Sequence, residues 1–378
     1  MTLRGISAHR IFDGTTFHFD SVLVYRDDIV VDILPKAEVP SDLSYDDYPD
    51  KTIVPGFIDI QVNGGGEVMF NNTMTVEGIN TICKAHRKHG TAYLLPTLIS
   101  ATTTDMTNAL NAVANAIEQR IPGVAGIHLE GPWLNANKKG AHDAGKFYAP
   151  SVSELESFPW LAMGTTLVTL APECVDTEVL AWLKNNDVVV SCGHSNASSH
   201  ELSGEKLPLI DGFTHLFNAM SPLEGREPGV VGTALIADHA WCSIIVDDIH
   251  VDSANVMLAK RLKRQQQLLI VTDAMASVGS ISNSFVLDGE QISVQNGRLV
   301  NAQGALAGAH IGMDQSVANV IQWGIEEAEA FRMASMYPAR AINRSDLGTL
   351  KSGSKASVTI LNSDYRASHV MVDGQLLS

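Results

Sequence analysis

Apolar, β-rich runs recur along this chain, at 57–61, 91–98, 124–129, 166–171, 187–192, 211–215, 242–247 and 268–273. Runs of that length read as buried strands, and their alternation with helical stretches implies a parallel sheet. Several of the gaps hold helical spacing, such as VEGINTICKAHRKHG from Val76 and TDMTNALNAVANAIEQR from Thr104. A longer helical region runs from Met313 to Ala341. Eight such alternations predict an α/β protein centred on a (β/α)8 TIM-like barrel. A doubly wound open sheet is the alternative, but no G-x-G-x-x-G turn follows the first strand.

The two ends of the chain have a different texture. SVLVYRDDIVVDIL from Ser21, with a turn signal at Asp27-Asp28, reads as paired short strands. LGTLKSGSKASVTILN and HVMVDGQLLS near the C-terminus repeat that strand-turn-strand pattern. The ends are therefore expected to pair into one small β-sandwich, residues 1–53 with 346–378, flanking a barrel at 54–345.

Composition sets limits on partners and location. The 378 residues are 45% hydrophobic and 18% charged, as in ordinary globular proteins. No run of about 18 apolar residues occurs, and the start MTLRGISAHR lacks a signal-peptide core, so a soluble cytoplasmic protein is expected. Cys83, Cys174, Cys192 and Cys242 lie far apart with no C-x-x-C pair, which fits a reducing compartment. A net charge of −16 disfavours nucleic acid and anionic membrane as partners. A small anionic substrate stays open, because one local Arg or His cluster can hold it.

Barrel enzymes carry their chemistry at the C-terminal ends of the strands. Those ends here bear Gln61 and Asn63, then Glu130, Glu173, His194, His215, Asp247 with His250, and Asp273. Gln61 and Asn63, two apart, share one strand face. Glu130, His194 and His215 supply a carboxylate and two imidazoles, the usual donors of a catalytic zinc with an open position for water. Cys192, two residues before His194, reads as a small buried hydrophobe rather than a thiolate ligand. Asp273 is placed to take a proton from a metal-bound water and return it to a leaving group. Arg226, in PLEGREPG, offers a planar fork of donors on the loop after the sixth run, and no Walker-type loop occurs. His86 and His89, with Arg87 and Lys88, read as a solvated helix face.

The motifs PGFIDIQVNG, HLEGPWLN, KGAHD, GHSNA, THLFNAMSPLEGREPGVVG, DDIHVD, VTDAM and LAGAHIGMDQSV together resemble the N-acetylglucosamine-6-phosphate deacetylases of the amidohydrolase superfamily. The resemblance runs from about Pro55 to Asn343, and the GTLKSGSKASVTIL tail is also similar. It implies a barrel with a β-sandwich from both termini and hydrolysis of the acetamide of N-acetyl-D-glucosamine 6-phosphate to D-glucosamine 6-phosphate and acetate. It further implies one divalent metal, most often Zn2+, on Glu130, His194 and His215, a metal-activated water, and Asp273 as general base and acid. His142, beside Ala141, would contact the sugar and help stabilise the oxyanion. Asn218, Ala219, Arg226 and His250 would line the substrate pocket, the last two near the phosphate, with Leu306, Ala307 and Gly308 closing over it. Homodimers are implied, with part of the phosphate site supplied across the interface.

One departure stands out. Many amidohydrolases have His-x-His at the end of the first strand, holding a second metal, where this chain has Gln61-Val62-Asn63. Amides are poor zinc ligands, so one metal is expected, with Gln61 and Asn63 as hydrogen-bonding groups. Other readings are a deacetylase for another N-acetylhexosamine 6-phosphate such as the galactosamine epimer, a dihydroorotase- or dipeptidase-like amidohydrolase, or a catalytically silent sugar-phosphate binder. The second would favour His-x-His and a bridging lysine; the third would lack Asp273 or a metal ligand.

Overall fold

The computed structural model describes every residue except 1, 2, 265, 288, 302, 303, 305 and 378. The eight apolar runs form eight parallel strands: β1 (Phe57–Val62), β2 (Thr91–Ile99), β3 (Gly126–Glu130), β4 (Thr165–Leu170), β5 (Val189–Cys192), β6 (Gly212–Phe213), β7 (Trp241–Ile244) and β8 (Leu268–Ile270). Each pairs with the next in chain order. The ring closes at its mouth, where Asp273 N–H donates to Gln61 O at 3.0 Å and Asn63 N–H to Ala274 O at 2.9 Å. Every residue of β1 and β2 is buried, so both faces are covered, and the polar Asp59 and Gln61 of β1 are buried with hydrogen-bond partners.

Helices cover the outside where the spacing predicts them, at Val76–Arg87 and Thr103–Glu118. The first is capped by the Thr75 side chain, which accepts from Gly78 N–H. The second begins in a reciprocal capping box between Thr102 and Asp105, satisfying donors that the first turn would leave bare. The Met313–Ala341 region is helical but broken into Met313–Gln322, Glu327–Ala334 and Met336–Ala341.

Strands β7 and β8 stop three residues short of the expected runs. Beyond β5, β6 and β8 the chain leaves the ladder and turns side chains into the mouth. His194, His215 and Asp273 have φ of 48°, 38° and 52°, left-handed values that an extended strand cannot hold. Such strain concentrates where the surrounding structure fixes a functional side chain.

Both termini build one eight-stranded mixed sheet. Its central strand, Tyr45–Pro55, runs parallel to Leu3–Phe12 and antiparallel to Val358–Leu361. The sheet folds over, so that Val30 N–H donates to Ser354 O at 2.8 Å, and encloses Ile6, Leu23, Val30, Ile53, Ile360 and Met371.

Two features differ from the sequence reading. His86 and Arg87 are not a solvated face: both are buried, His86 Nε2 lies 2.8 Å from Gly64 O, and Arg87 Nη2 donates to Pro122 O at 2.9 Å. Burial pushes the His86 imidazole down to about 4, so it is neutral and can donate to that carbonyl. His89 faces Asp314 at 3.4 Å. The end of this helix packs inward against the loop after β1, and the cluster of basic residues hid that. The second difference is an unforeseen meander of three short strands, Ser284–Leu287, Glu290–Gln295 and Arg298–Val300. Asn296 and Gly297 join the last two with φ of 51° and 77°, the conformation that Asn-Gly hairpin turns favour. Leu287, Ile292 and Leu299 pack on Ile99, Met275 and Ala307, forming a wall beside the barrel mouth.

Candidate active site

Glu130 at the end of β3, His194 after β5 and His215 after β6 converge, with ligand atoms all within 4.8 Å of one another. Glu130 Oε1 lies 2.9 Å from His215 Nε2 and 3.3 Å from His194 Nε2, and the two nitrogens are 3.1 Å apart. All three residues are buried. An ion with bonds of about 2.0–2.1 Å in tetrahedral array separates its ligands by roughly 3.3 Å, close to these spacings. The ring of His194 is fixed from behind: Nδ1 lies 2.7 Å from Lys138 O, a group that only accepts, so Nδ1 carries the hydrogen and Nε2 has a free lone pair. Burial favours a neutral Glu130, yet His194 and His215 hold its carboxyl well below the usual range. Burial likewise opposes charge on His215, but the Glu130 carboxylate raises it above the ordinary histidine value. A fully buried carboxylate that draws positive charge toward itself fits a cation site.

Asp273 completes the mouth. Burial first, and then the Glu130 charge, push its carboxyl up to about 6. Two carboxylates with values driven apart are the pattern of an anionic ligand beside a proton-transfer group. Gln61 and Asn63 bear directly on this residue. Gln61 Nε2 donates to Asp273 Oδ1 and to Glu130 Oε1, each at 3.1 Å, and Asn63 Nδ2 donates to Asp273 Oδ1 at 2.7 Å. Carboxylates only accept, so these contacts fix both amides with nitrogen toward Asp273. Gln61 Oε1 and Asn63 Oδ1 are buried without a partner among the described residues.

His142 sits across from His194, ring centroids 4.3 Å apart. Ser100 N–H lies 3.3 Å and Ser100 Oγ 2.8 Å from His142 Nδ1. A backbone N–H can only donate, so Nδ1 accepts and the neutral ring carries its hydrogen on Nε2. Burial holds the imidazole well below its ordinary value, keeping it neutral. Hence His142 offers an N–H donor to the pocket.

The pocket is a cavity of about 200 Å³. Of the residues named from sequence, Glu130, Ala141, His142, His194, His215, Asn218, Ala219, His250, Asp273, Leu306 and Gly308 all line it. Ala307 is instead buried in the wall against Met275 and Ile99. Arg226 lies outside the lining, on an exposed stretch of the loop after β6. Glu227 on that loop accepts from Ser199 N–H and Gly229 N–H rather than pairing with it. His250 is oriented by Asp247, whose Oδ2 is 2.7 Å from Nδ1. Cys192 is buried, its thiol pushed up by burial, and takes no part in the Glu-His-His cluster. The sequence reading missed Ile99 and Met275, which supply apolar lining; nothing in a buried Ile or Met marks such a role. A larger cavity of about 870 Å³ opens at the opposite end of the barrel, near Tyr93, Arg120, Lys355 and Asp373. The ligand cluster and Asp273 are absent from its lining, so the chemistry belongs to the smaller one.

The model of the Amidohydrolase family matches residues 52–377. This chain is an amidohydrolase. The family is metal-dependent, in keeping with the Glu-His-His cluster. The amidohydrolase is 38% identical over 331 residues to an N-acetylgalactosamine-6-phosphate deacetylase of Shewanella sp., covering 86% of this chain and 83% of the relative. It is 33% identical over 362 residues to an N-acetylglucosamine-6-phosphate deacetylase of Haemophilus influenzae, covering 94% of each. The crystal structure of N-acetylglucosamine-6-phosphate deacetylase from Pasteurella multocida superimposes with a TM-score of 0.93 at 32% identity, covering 100% of both chains. The eight-stranded barrel and the sheet from both termini are thus the amidohydrolase architecture expected from sequence.

Proposed function

We propose that this amidohydrolase removes the acetyl group of N-acetyl-D-glucosamine 6-phosphate, giving D-glucosamine 6-phosphate and acetate. The observation that carries the reading is the convergence of Glu130, His194 and His215 with Asp273 and the His142 donor in one cavity. One divalent cation on the three ligands, zinc by the His-His-Glu donor set, would polarise the amide carbonyl and lower the pKa of a water. Asp273, with a value of about 6, is suited to take a proton from the attacking water near neutral pH. The same proton then passes to the amide nitrogen as the C–N bond breaks, so that the amine leaves neutral. His142 Nε2–H donates to the carbonyl oxygen as negative charge develops there. Ile99 and Met275 give the acetyl methyl an apolar seat. Gln61 and Asn63 stand where other amidohydrolases place imidazoles, and an amide oxygen is a poor zinc ligand, which supports a single cation rather than a pair.

His250 is the phosphate contact within the chain. Arg226 would join it from the neighbouring subunit of a homodimer. Leu223 is 56% exposed beside Arg226, and Ile236, Leu258 and Leu262 are exposed on the helices that follow, which supports an apolar interface there. Among the described residues no helix is long and apolar enough to cross a membrane. All four cysteines are free, which supports a cytoplasmic setting. A second reading is the galactosamine epimer, favoured by the 38% identical Shewanella relative. Acetate release from both N-acetylhexosamine 6-phosphates tests the two: the larger kcat/KM names the substrate, and turnover of neither would refute both. Asp273→Asn should lower kcat by about 10²–10⁴ with metal content unchanged.

A further inference from the structure

Glu173 follows β4, yet its carboxylate is not part of the cavity lining. It binds three donors from two other segments. Oε1 accepts from Asn135 Nδ2 at 2.9 Å and from Asn196 N–H at 2.8 Å, and Oε2 accepts from Ser195 Oγ at 2.7 Å. Both segments belong to His194. Ser195 and Asn196 follow it directly, and Asn135 N–H donates to His194 O at 3.0 Å. Three residues beyond Asn135, Lys138 O holds His194 Nδ1. Asn135 itself braces that carbonyl's turn: its O accepts from Lys138 N–H at 2.8 Å and its Oδ1 from Asn137 N–H at 2.9 Å. The same segment continues into Gly140, Ala141 and His142 of the cavity. Ser195 also reaches the loop of Asn218 and Ala219, since its O accepts from Ser221 N–H at 3.1 Å.

We infer that Glu173 is a positioning residue of the metal centre, locking the 135–142 segment and the His194 segment into one unit so that the His194 ring is held with Nε2 facing Glu130. The inference rests on the reading of Glu130, His194 and His215 as the cation ligands. A carboxylate is suited to the task because it presents several lone pairs and no donor, so it can gather three donors at once. Groups that orient a ligand from behind typically govern metal affinity by 10–100-fold.

The test compares Zn2+ affinity, measured against a chromogenic chelator, in the wild type, Glu173→Ala, Glu173→Gln and His215→Ala, alongside thermal unfolding and steady-state kinetics at saturating Zn2+. Glu173→Ala is expected to bind Zn2+ about 10–100-fold more weakly and, once loaded, to lose kcat with KM nearly unchanged. Glu173→Gln keeps an acceptor for Asn135 and Asn196, and the Ser195 hydroxyl can turn to accept from its amide, so affinity should return to within about threefold. Zn2+ binding by Glu173→Ala as tight as wild type, with His215→Ala impaired, would overturn the positioning role alone. Tight binding by His215→Ala would remove the ligand assignment and this inference together. If Glu173→Ala does not fold, Asn135→Ala and Ser195→Ala each remove one of the three donors; unchanged Zn2+ affinity in both would equally overturn it.

Discussion

Asp59 lies fully buried two residues before Gln61, where it ties β1 to the segment after β8. Its Oδ1 accepts from Gln61 N–H and Thr272 N–H, each at 3.3 Å, and its Oδ2 from the Thr272 hydroxyl. Burial raises its carboxyl from 3.8 to about 7, against the lowering effect of those three donors. The folded state therefore holds this proton more tightly than the unfolded chain. Its stabilising effect is fully present below about pH 4 and is lost as pH rises toward and through 7. A rise from 3.8 to about 7 corresponds to roughly 4 kcal/mol in total, of which roughly 2–3 kcal/mol falls between pH 5 and pH 8. Asp59→Asn keeps an oxygen for the two backbone donors and an amide for the Thr272 oxygen, but has no proton to lose. With an unfolding entropy of about 2.1 cal/mol/K per residue, a loss of that size is about 3 °C for a chain of this length. Thermal unfolding of chelator-treated protein at pH 5 and pH 8 is the assay. The wild type should lose about 3 °C more than the variant on going to pH 8. Equal losses in the two proteins would refute the assignment of that proton to Asp59.

Asn63→Ala removes the 2.7 Å donor that lowers Asp273, so the acidic limb of the kcat profile should move to higher pH and kcat should fall by about tenfold; an unmoved limb would show that the amide does not tune this group. Gly212→Ala would set a methyl 2.2 Å from the Trp241 ring, so the variant should lose about 1–3 kcal/mol and show altered tryptophan fluorescence. An unchanged melting curve and emission spectrum would contradict the close packing of β6 on β7.

The eight barrel strands were legible because burial on both faces leaves short runs rich in apolar residues, and the candidate site was legible because polar residues such as Glu130 and Asp273 end those runs. Their exact ends were not. His215 and Asp273 leave the ladder in left-handed conformations, a choice made by tertiary contacts rather than by local preference. His86 was misread because an imidazole flanked by Arg and Lys looks solvated until the carbonyl of Gly64 is brought to it by the fold. The meander carried its signal openly in Asn296-Gly297, between residues of modest hydrophobicity that did not compete with the barrel runs. Arg226 marks the opposite case: its residue type suits a phosphate, but the fold leaves it on an exposed loop outside the cavity, a placement that residue type and sequence spacing do not reveal.

The sheet built from both termini has a consequence during synthesis. Tyr45–Pro55 can pair with Leu3–Phe12 as soon as both have left the ribosome, but its other edge waits for Val358–Leu361, with Thr52 facing Leu361. At about 5–20 residues per second, the intervening barrel takes roughly 15–60 s to translate. Through that interval the nascent chain carries an open strand edge that includes Ile53 and Val54, a template for pairing with other chains. Release of the last strands, rather than completion of the barrel, is the moment at which the newly made protein ceases to need shelter from its neighbours.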